Sequence, residues 1–387
     1  MRRTVASICG VLLLILLLSG CRSGNELNAM SLVMGIAIDK SDKENEYSVT
    51  AQLANAEVHS GGSMKSSGGG KGKGYVNVTM EGLGISDAML GISRKLSRKL
   101  YTGHIQLVVI SRAVAEDGIG PILNYFIGSA DGRMSTILLI AHDKASGLFE
   151  CESPTKQSPA DNLAGLIKAQ VKAGEAAEPS MLSFLSDMAG GLTAPKIPVA
   201  EIKKDENGEE LTEITGLAVF DGMELRDIMS GEQAHAVFAV HGSTGSGYQQ
   251  IVSGGKYLTL HVEGATSRVY STIENGMPKI TAVLNREYSV DDSTFDFDFL
   301  DENARHKAEQ LSKEQLLKQL QDTLEWARQR QLDVFAFGEH LYRYHNRETV
   351  ELLRDWRAAF PELEVSFELD VTILGTGAIL KNLEPVR

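Results

Sequence analysis

The stretch Ser31-Leu-Val-Met-Gly-Ile-Ala-Ile-Asp39 is almost continuously apolar and ends in a carboxylate. A short apolar run of this kind predicts a buried strand. Farther along, Tyr47 to Ala54 alternates apolar and polar side chains, which is the two-residue period of a half-buried strand. The polar segment Asp42 to Asn45 predicts a turn between them, so we expect the two strands to pair.

Strands and helices alternate in the sequence that follows. A two-residue period predicts the first of the strands, and apolar positions three or four residues apart predict the first of the helices. The predicted strands are Tyr75 to Met80, Gln106 to Ser111 and Ser135 to His142, and the predicted helices run from Ser86 to Leu100, within Arg112 to Phe126 and within Pro154 to Gly191. This order is typical of helices packed on a sheet, as in α/β and α+β proteins.

A candidate domain boundary follows these elements. Pro195 and Pro198 precede an acidic stretch from Glu201 to Glu213, and such a composition is typical of a boundary. We therefore predict a signal peptide at residues 1–20, an N-terminal α/β region of one or two lobes at residues 21–198, and a C-terminal α+β domain at residues 199–387.

Strand patterns are more frequent in the second half. The predicted strands are Ile214 to Phe220, Lys256 to Glu263, Thr266 to Ile273, Lys279 to Tyr288, Phe295 to Phe299 and Glu364 to Leu374. Helices are predicted from Ser230 and from near Ser312, each with a glutamine at capping-box distance, and across Glu348 to Phe360. The predicted fold class is multi-domain α+β, with two to three mixed sheets and packed helices. An antiparallel sheet and a long helix occupy the C-terminal half.

The N-terminus has the parts of a secretion signal. Arg2 and Arg3 precede an apolar run, Val11 to Leu18, which is shorter than the about 20 residues that a membrane-crossing helix needs. Leu18-Ser19-Gly20-Cys21 then resembles a bacterial lipobox, in which the cysteine thiol receives diacylglycerol. This motif predicts lipidation at Cys21. Two or more acyl chains would then anchor the protein stably. The alternative is a non-lipidated signal with an unrelated cysteine nearby.

Cysteine usage and charge narrow the class of protein. Cys9 lies in the predicted signal and Cys21 at the predicted lipidation site, which leaves Cys151 alone and excludes an intrachain disulfide. The formal net charge is −13. Because phosphate groups are bound by clustered Lys and Arg, we expect no nucleic acid, and no anionic headgroups as a general partner of the whole surface.

One helix face departs from this acidic balance. Arg94, Lys95, Arg98 and Lys99 lie on the outer face of the helix predicted at residues 86–100. On an extracytoplasmic protein such a cluster is suited to anionic headgroups or to an acidic partner. The alternative, which composition alone favours, is a solvated helix face.

No residue set matches a catalytic or metal-binding pattern. The sequence has no Gly-x-Ser-x-Gly and no His-Glu-x-x-His, and the glycine-rich segment at residues 60–74 lacks the Gly-Lys-Ser/Thr of a Walker loop. His235 and His241 are six residues apart and His340 and His345 are five apart, whereas ligands on one helix face are three or four apart. We therefore predict that the protein is not an enzyme and has no metal or cofactor.

An aspartate-rich segment near residue 295 has two interpretations. Its members are Asp291, Asp292, Asp296, Asp298 and Asp301. A calcium-binding EF-hand loop needs a glycine at its sixth position and a glutamate at its twelfth, and neither register fits. The alternation with Phe295, Phe297 and Phe299 instead predicts a strand with the aspartates on its solvated face.

Several short motifs follow one another along the chain in an order that a known family shares. In the first half they are Glu26-Leu27-Asn28, Val33-Met-Gly-Ile-Ala-Ile-Asp39, Leu100-Tyr-Thr-Gly-His104 and Ala115-x-x-Gly118. In the second half they are Gly216-Leu-Ala-Val-Phe220, Asp333-Val-Phe-Ala-Phe-Gly338, Trp356, Phe360-Pro361 and Gly375-Thr-Gly377. Together with the lipobox, their order and spacing resemble those of the Ger(x)C lipoproteins, the C subunits of nutrient germinant receptors in spore-forming bacteria.

The resemblance implies a three-domain α+β protein with no known enzymatic activity. Such a protein is anchored by acyl chains such as palmitate at Cys21, on the extracytoplasmic face of the spore inner membrane. Its implied partners are membrane lipid and the integral membrane A and B subunits of the receptor. The germinant site is generally attributed to the B subunit, so Cys21 is the one functional residue that the resemblance carries over.

Two other functions remain as alternatives. A lipid-anchored solute-binding protein of a transporter also has a lipobox and an acidic surface, but its two doubly wound lobes do not match the antiparallel strands predicted from Lys256 to Tyr288. A cell-wall enzyme is disfavoured by the absence of a nucleophile, carboxylate or metal constellation.

Overall fold

The first sheet is built around β1 (Met30–Lys40), which contains the apolar run at residues 31–39. The computed structural model describes residues 30–55, 73–155, 157–173, 179–242, 247–295, 299 and 301–376. The other strands of this sheet are β2 (Tyr47–Ala54), β3 (Tyr75–Gly82), β4 (Lys99–Tyr101), β5 (Leu107–Ser111), β6 (Ile137–Ala141), β7 (Lys196–Lys204), β8 (Glu210–Asp221) and β9 (Glu224–Ser230). Their order is β3-β2-β1-β5-β6-β7-β8-β9, and β4 pairs with the start of β1.

The centre of the first sheet is parallel and its margins are antiparallel. β1 and β2 form the predicted antiparallel pair, with Lys40 opposite Tyr47. On its other side β1 runs parallel to β5, and β6 and β7 continue in the same direction. β8 and β9 then run antiparallel, each to the strand before it. Parallel strands are buried on both faces, which explains why every residue of β5 and β6 is buried and either apolar or small.

Helices cover both faces of this sheet. They are α1 (Ile85–Arg94), α2 (Arg112–Asp117), α3 (Gly120–Gly128), α4 (Ala145–Glu150), α5 (Pro159–Ala173) and α6 (Met181–Gly190). On one face α1, α2, α3 and α6 pack against a core that includes Ile36 and Ile38 of β1. On the other face α4 and α5 pack against Met34 and Ala37. The first half is therefore a layer of strands between two layers of helices.

The second sheet has four strands among the described residues. They are β10 (Tyr248–Ser253), β11 (Lys256–Glu274), β12 (Met277–Ser293) and β13 (Glu364–Thr376), in that order across the sheet. The first three are antiparallel and β13 runs parallel to β12. The accompanying helices are α7 (Gly231–His241), α8 (Glu302–Arg330), α9 (Phe337–Arg354) and α10 (Trp356–Ala359). The protein is thus α+β with mixed sheets and a long helix in its C-terminal half, as predicted.

β11 is one strand of 19 residues where two strands are predicted. Its pairing with β12 shifts register on both sides of His261, between Thr259 and Leu260 and again between Val262 and Gly264. A Cβ atom at Gly264 would lie 2.8 Å from the Glu287 carboxylate, so the close approach at the second shift favours glycine. The interrupted alternation explains why the sequence pattern divides the strand in two.

Two predicted helices have different limits. The helix predicted to reach Leu100 ends at Arg94, because residues 99–101 pair with β1 as β4. The helix predicted from Glu348 begins earlier, at Phe337, and is kinked at His345.

The predicted start of the long helix near Ser312 is wrong. α8 begins at Glu302, and the Asp301 carboxylate caps it by accepting a hydrogen bond from the Asn303 amide at 3.2 Å. Ser312 is fully buried inside the helix, where its hydroxyl donates to Gln249 Oε1 at 2.6 Å. The serine–glutamine spacing that mimics a capping box therefore reflects a contact with β10.

Two further predictions concern the segment near residue 295 and the domain boundary. Phe295 lies in a bend and Phe299 in a turn, so the strand predicted from Phe295 to Phe299 is wrong at both ends, while residues 296–298 lie outside the described ranges. The boundary predicted between residues 198 and 199 lies inside β7, whose partners β6 and β8 belong to the first sheet. The division of the chain there stays a prediction.

Gly35 marks the closest approach between β1 and the helices above it. A Cβ atom at this position would lie 2.9 Å from both Ala160 Cβ and Phe149 Cζ, so α4 and α5 sit directly on the glycine. A real Cβ requires more room than that, and a packed core resists the shift.

We expect Gly35→Ala to lower the free energy of unfolding by about 1–3 kcal/mol, because the added methyl group overpacks the core. The matched control is Gly165→Ala on α5, where an added Cβ meets no atom within 4 Å. There the same change is expected to raise stability by about 0.5–1 kcal/mol, through the better helix propensity of alanine. Urea unfolding followed by circular dichroism measures both, and equal effects of the two variants would contradict the packing described for Gly35.

Candidate functional site: the junction between the two sheets

α7 lies between the two sheets and joins their cores. One hydrophobic cluster combines Leu217 and Val219 of β8, Val237 of α7, and Ile280 and Leu284 of β12. All five side chains are at most 5% exposed. The two halves therefore share apolar surface, and separating them would return that surface to water at a cost of about 25 cal/mol for each Å².

A buried carboxylate organises the loop that enters this junction from the second half. Asp333 is 4% exposed and accepts three hydrogen bonds, from the amides of Phe335 (3.0 Å) and Gly338 (2.8 Å) and from the indole Nε1 of Trp356 (3.1 Å). The loop turns through Ala336, whose φ is 59°. Burial raises the pKa of the Asp333 carboxyl to about 6, although the three donors favour the ionised form.

The main chain of Asp333 connects this loop to the first sheet. Its carbonyl accepts hydrogen bonds from the Ala194 amide at 2.7 Å and from the Thr193 hydroxyl at 3.0 Å, just before β7 begins. Lys196 donates to the Ala194 carbonyl at 2.8 Å and lies 4.0 Å from the Asp187 carboxylate. Burial lowers the pKa of Lys196 and raises the pKa of Asp187. A chain of buried and half-buried polar groups thus runs from α6 to α9.

A second buried charge, Arg286 of β12, connects the second sheet to α7. The side chain is 2% exposed, and its guanidinium donates to the carbonyls of Ala239 (3.0 Å), Thr266 (3.2 Å) and Asn285 (2.9 Å). Ala239 lies in the last turn of α7, where unpaired carbonyls and the helix dipole favour a cation. Ser267 adds a bond from its hydroxyl to the Val240 carbonyl at 2.6 Å. The second sheet therefore holds the C-terminal end of α7.

A groove of about 870 Å³ opens beside this junction, lined by α7, β10 and α8. β10 is an edge strand, with Tyr248 62% and Val252 69% exposed while Ile251 faces the core. Gln315 of α8 donates to the Gln250 carbonyl at 3.0 Å. The described lining combines the edge of β10 with amide side chains and with the ionisable side chains of Glu232, His235, Glu314 and Lys318.

The predicted histidine pairs have protein partners. His340 and His345 meet at Ser271, with His340 Nε2 3.0 Å from the hydroxyl and His345 Nε2 3.2 Å from the carbonyl. Burial, followed by the charge of Lys196, lowers the pKa of His241 to about 4, and burial with Arg286 nearby lowers the pKa of His235. Within the described part of the chain, no three His, Cys, Asp or Glu side chains are arranged to hold a metal ion.

The cysteines fall in different parts of the molecule. Cys151 is buried, its thiol donates to the Glu210 carbonyl at 3.4 Å, and burial raises its pKa, which disfavours the nucleophilic thiolate. Cys21, the predicted lipidation site, lies outside the described residues, and so does Cys9. No helix in the described ranges has both the length and the apolar character of a membrane span.

Sequence patterns contain a signal for the junction that the predictions did not use. Asp333 is a charged residue within the otherwise apolar run Leu332 to Phe337. Arg286 occupies an inward position of β12 between the buried Leu284 and Tyr288. A charged residue at a core position usually has satisfied hydrogen-bonding partners, so both positions indicate buried polar contacts, although not with which groups.

We expect Asp333→Asn to lower the free energy of unfolding by about 2–5 kcal/mol, because the amide group can accept at only one atom and would set an N–H against buried donors. Asp322→Asn on α8 is the control, since it removes only an exposed pair with Lys318 and is expected to change stability by less than about 1 kcal/mol. Denaturant unfolding at pH 7 compares them, and an unchanged midpoint for Asp333→Asn would refute the role of the carboxylate.

The raised pKa of Asp333 also predicts a pH dependence. Between its ordinary value of 3.8 and its folded value of about 6, the folded state holds a proton that the unfolded state has lost, so this group makes stability fall as pH rises. Because both titrations are incomplete at the edges of this window, the fall between pH 4 and pH 6 amounts to about 2 kcal/mol. The asparagine does not titrate, so we expect the stability advantage of the wild type over Asp333→Asn to shrink by this amount between pH 4 and pH 6, as measured by urea unfolding. A difference that stays constant with pH would contradict the assignment.

Two family models match consecutive parts of the chain. The spore germination protein N-terminal domain matches residues 23–202, and the model described as spore germination B3/GerAC like, C-terminal, matches residues 215–377. The first range ends within β7 and the second begins within β8. Both contribute residues to the junction, since Ala194 lies in the first range and Asp333 in the second.

Relatives that match nearly the whole chain are also spore germination proteins. Spore germination protein KC of Bacillus subtilis (strain 168) is 24% identical over 95% of this chain and 94% of its own length. Spore germination protein B3 of the same organism is 21% identical over 98% of this chain and 100% of its own length. The crystal structure of the GerBC protein has a TM-score of 0.59 at 16% identity, covering 88% of this chain and 97% of that one, and so has the same fold. The chain therefore belongs to the Ger(x)C family of spore germination proteins.

Proposed function

We propose that this protein is the lipid-anchored C subunit of a spore nutrient germinant receptor, acting on the outer face of the spore inner membrane as a non-catalytic assembly and signalling component. The observation that supports this most strongly is the extent of the family match, which covers residues 23–202 and 215–377. Relatives named as spore germination proteins extend over nearly the full chain. The function is therefore inferred for the whole molecule and not for one module.

The membrane anchor is assigned to Cys21. The tetrapeptide Leu18-Ser19-Gly20-Cys21 follows a short apolar run with two N-terminal arginines. A thioether-linked diacylglycerol supplies two chains, and two chains hold a protein on a bilayer where a single chain does not. The lipid then performs the task that a transmembrane helix performs in other membrane proteins.

Anchorage explains how a protein without a catalytic centre contributes to a receptor. A domain confined to the membrane surface meets integral membrane partners at an effective concentration far above that in solution, so modest interfaces are sufficient. The proposed partners are the A and B subunits of the receptor. The shared core around Leu217 and Ile280 and the polar contacts of Asp333 would let the two sheets act as one body in such an assembly.

The non-catalytic assignment is supported by the chemistry of the described side chains. Cys151 is buried with a raised pKa, and His340 and His345 bond to Ser271. The groove beside α7 contains His235, whose pKa is lowered, but no nucleophile within hydrogen-bonding distance of it among the described contacts. Each of these groups therefore has a structural environment.

We expect Cys21→Ala to abolish incorporation of radiolabelled palmitate and to move the protein from the membrane to the soluble fraction, because the variant has no thiol to acylate. The other two cysteines provide matched controls. Cys9→Ala removes a residue of the predicted signal and Cys151→Ala a buried structural thiol, so both are expected to keep the label.

The receptor role is tested in spores that depend on this gene for nutrient response. We expect spores carrying Cys21→Ala to lose most of the fall in optical density that follows nutrient addition, while germination triggered by calcium dipicolinate proceeds. Membrane sedimentation of unlabelled Cys21→Ala would refute the anchor. Intact nutrient germination in a strain that lacks the gene and its paralogues would refute the receptor role.

A further inference from the structure

A basic segment lies beside the first described residue of the chain. α1 ends at Arg94, and the chain then passes through Lys95 and Arg98 to β4. β4 pairs in parallel with the start of β1, with Lys99 opposite Met30. Lys99 therefore lies at the end of the sheet where β1 begins, Lys95 and Arg98 precede it in the connecting segment, and Arg94 ends the helix that leads there. We call these four residues the basic end.

The charges of the basic end are not neutralised by neighbouring carboxylates. Arg94, Lys95 and Lys99 are exposed and Arg98 is half-buried. None of the four forms an ion pair with any residue that the structure describes, whereas Lys40 and Lys43 at the far end of β1 pair with Asp117 and Glu81.

The surrounding sequence and contacts support the same conclusion. No Asp or Glu occurs between Asp87 and Glu116, although acidic residues outnumber basic ones by 51 to 38 in the whole chain. One carboxylate does approach β4 closely, since Asp131 accepts a hydrogen bond from the Thr102 hydroxyl at 3.3 Å. Because none of the four cations is paired among the described residues, they leave a local positive charge on an otherwise acidic protein.

The opposite end of the sheet is acidic. β1 has 11 residues and is therefore about 33 Å long. The turn that follows it carries Asp42, Glu44 and Glu46, and Asp117 and Glu81 lie beside it. These charges are separated from Lys99, opposite Met30, by more than the Debye length of about 10 Å at moderate salt, so their repulsion from an anionic surface beside Lys99 is largely screened.

The predicted lipid is attached close to the basic end. Cys21 precedes Met30 by nine residues, which span at most about 32 Å even when fully extended. We infer that the basic end is a membrane-binding surface that takes the phosphate headgroups of anionic phospholipids, with the anchor and the four cations on the same side of the molecule. This inference rests on the proposed lipidation of Cys21.

The apolar surface next to the cations fits the same partner. Leu90 is 51% exposed and lies one helical turn before Arg94, so the two side chains are neighbours on α1. A leucine beside basic residues is suited to the boundary between headgroups and acyl chains. A lipid anchor by itself does not fix the orientation of a protein, whereas this surface directs the acidic end of the sheet away from the bilayer.

The magnitude of the effect follows from the number of cations. Each Lys or Arg near an anionic bilayer strengthens binding by about fivefold, so two of them account for about 25-fold.

The experiment uses the mature chain from residue 21 with Cys21→Ser, and measures sedimentation with vesicles of phosphatidylcholine alone or of phosphatidylcholine with phosphatidylglycerol. We expect binding to the anionic vesicles that weakens as salt is raised, and little binding to the neutral ones.

Two double variants with the same change in charge separate the basic end from net charge. Arg94→Gln with Lys99→Gln is expected to weaken binding to the anionic vesicles by about 25-fold. Lys256→Gln with Arg268→Gln changes two exposed cations of β11 that have no ion pair among the described residues, and is expected to leave binding unchanged. Thermal unfolding by circular dichroism verifies that both variants are folded.

Equal binding to neutral and anionic vesicles, or equal loss in both double variants, would overturn the inference. So would an absence of vesicle binding combined with a germination defect in the Arg94→Gln/Lys99→Gln spores, since that combination identifies an acidic protein partner instead. The test protein has no thiol at position 21, so these results do not depend on lipidation. Palmitate labelling of Cys21 in the parent chain reports separately on the anchor.

Discussion

The buried carboxylate of Asp333 is the contact on which the arrangement of the two sheets depends. A charge removed from water is tolerated only when its hydrogen-bonding capacity is met, and here three N–H groups meet it. The loop before α9 and the indole of Trp356 must therefore take their positions together. Because the Asp333 carbonyl also holds Ala194, the same residue fixes both the second half and its attachment to the first sheet. Hydrophobic contact alone has no such directional requirement.

Local sequence patterns predict the elements whose partners are close in sequence. The apolar run at residues 31–39 and the alternation at 47–54 predict β1 and β2, because both patterns follow from burial along a single strand. The start of α8 could not be found in this way. Ser312 and Gln315 have the spacing of a helix cap, but Ser312 bonds to Gln249, which is 63 residues away in the chain. A local pattern does not distinguish these two uses of one serine.

The candidate site divides in the same manner. The lipobox around Cys21 is a continuous motif and is predicted without any structure. The junction is assembled from β7, β12 and the loop before α9, so its partners emerge only when the topology is known. The sequence does mark Asp333 and Arg286 as charges at apolar positions, which indicates burial but not the groups that satisfy them. Similarly, the basic cluster at residues 94–99 is evident in the sequence, whereas its place beside Met30 depends on the pairing of β4 with β1.

Most of the bonds that close the junction end on the main chain. Arg286 donates to three carbonyls, Lys196 to a fourth, and the Asp333 carboxylate accepts from two amides. Every residue type except proline offers the same amide and carbonyl, so a change of side chain at a partner position does not by itself remove the bond. Gly338 is an exception, because a Cβ atom there would lie 2.5 Å from the Leu192 carbonyl. The sequence around the junction can therefore change widely while a few charged side chains keep the two sheets in the same arrangement. Searches for correlated substitutions would miss these contacts, because only one member of each pair is under constraint.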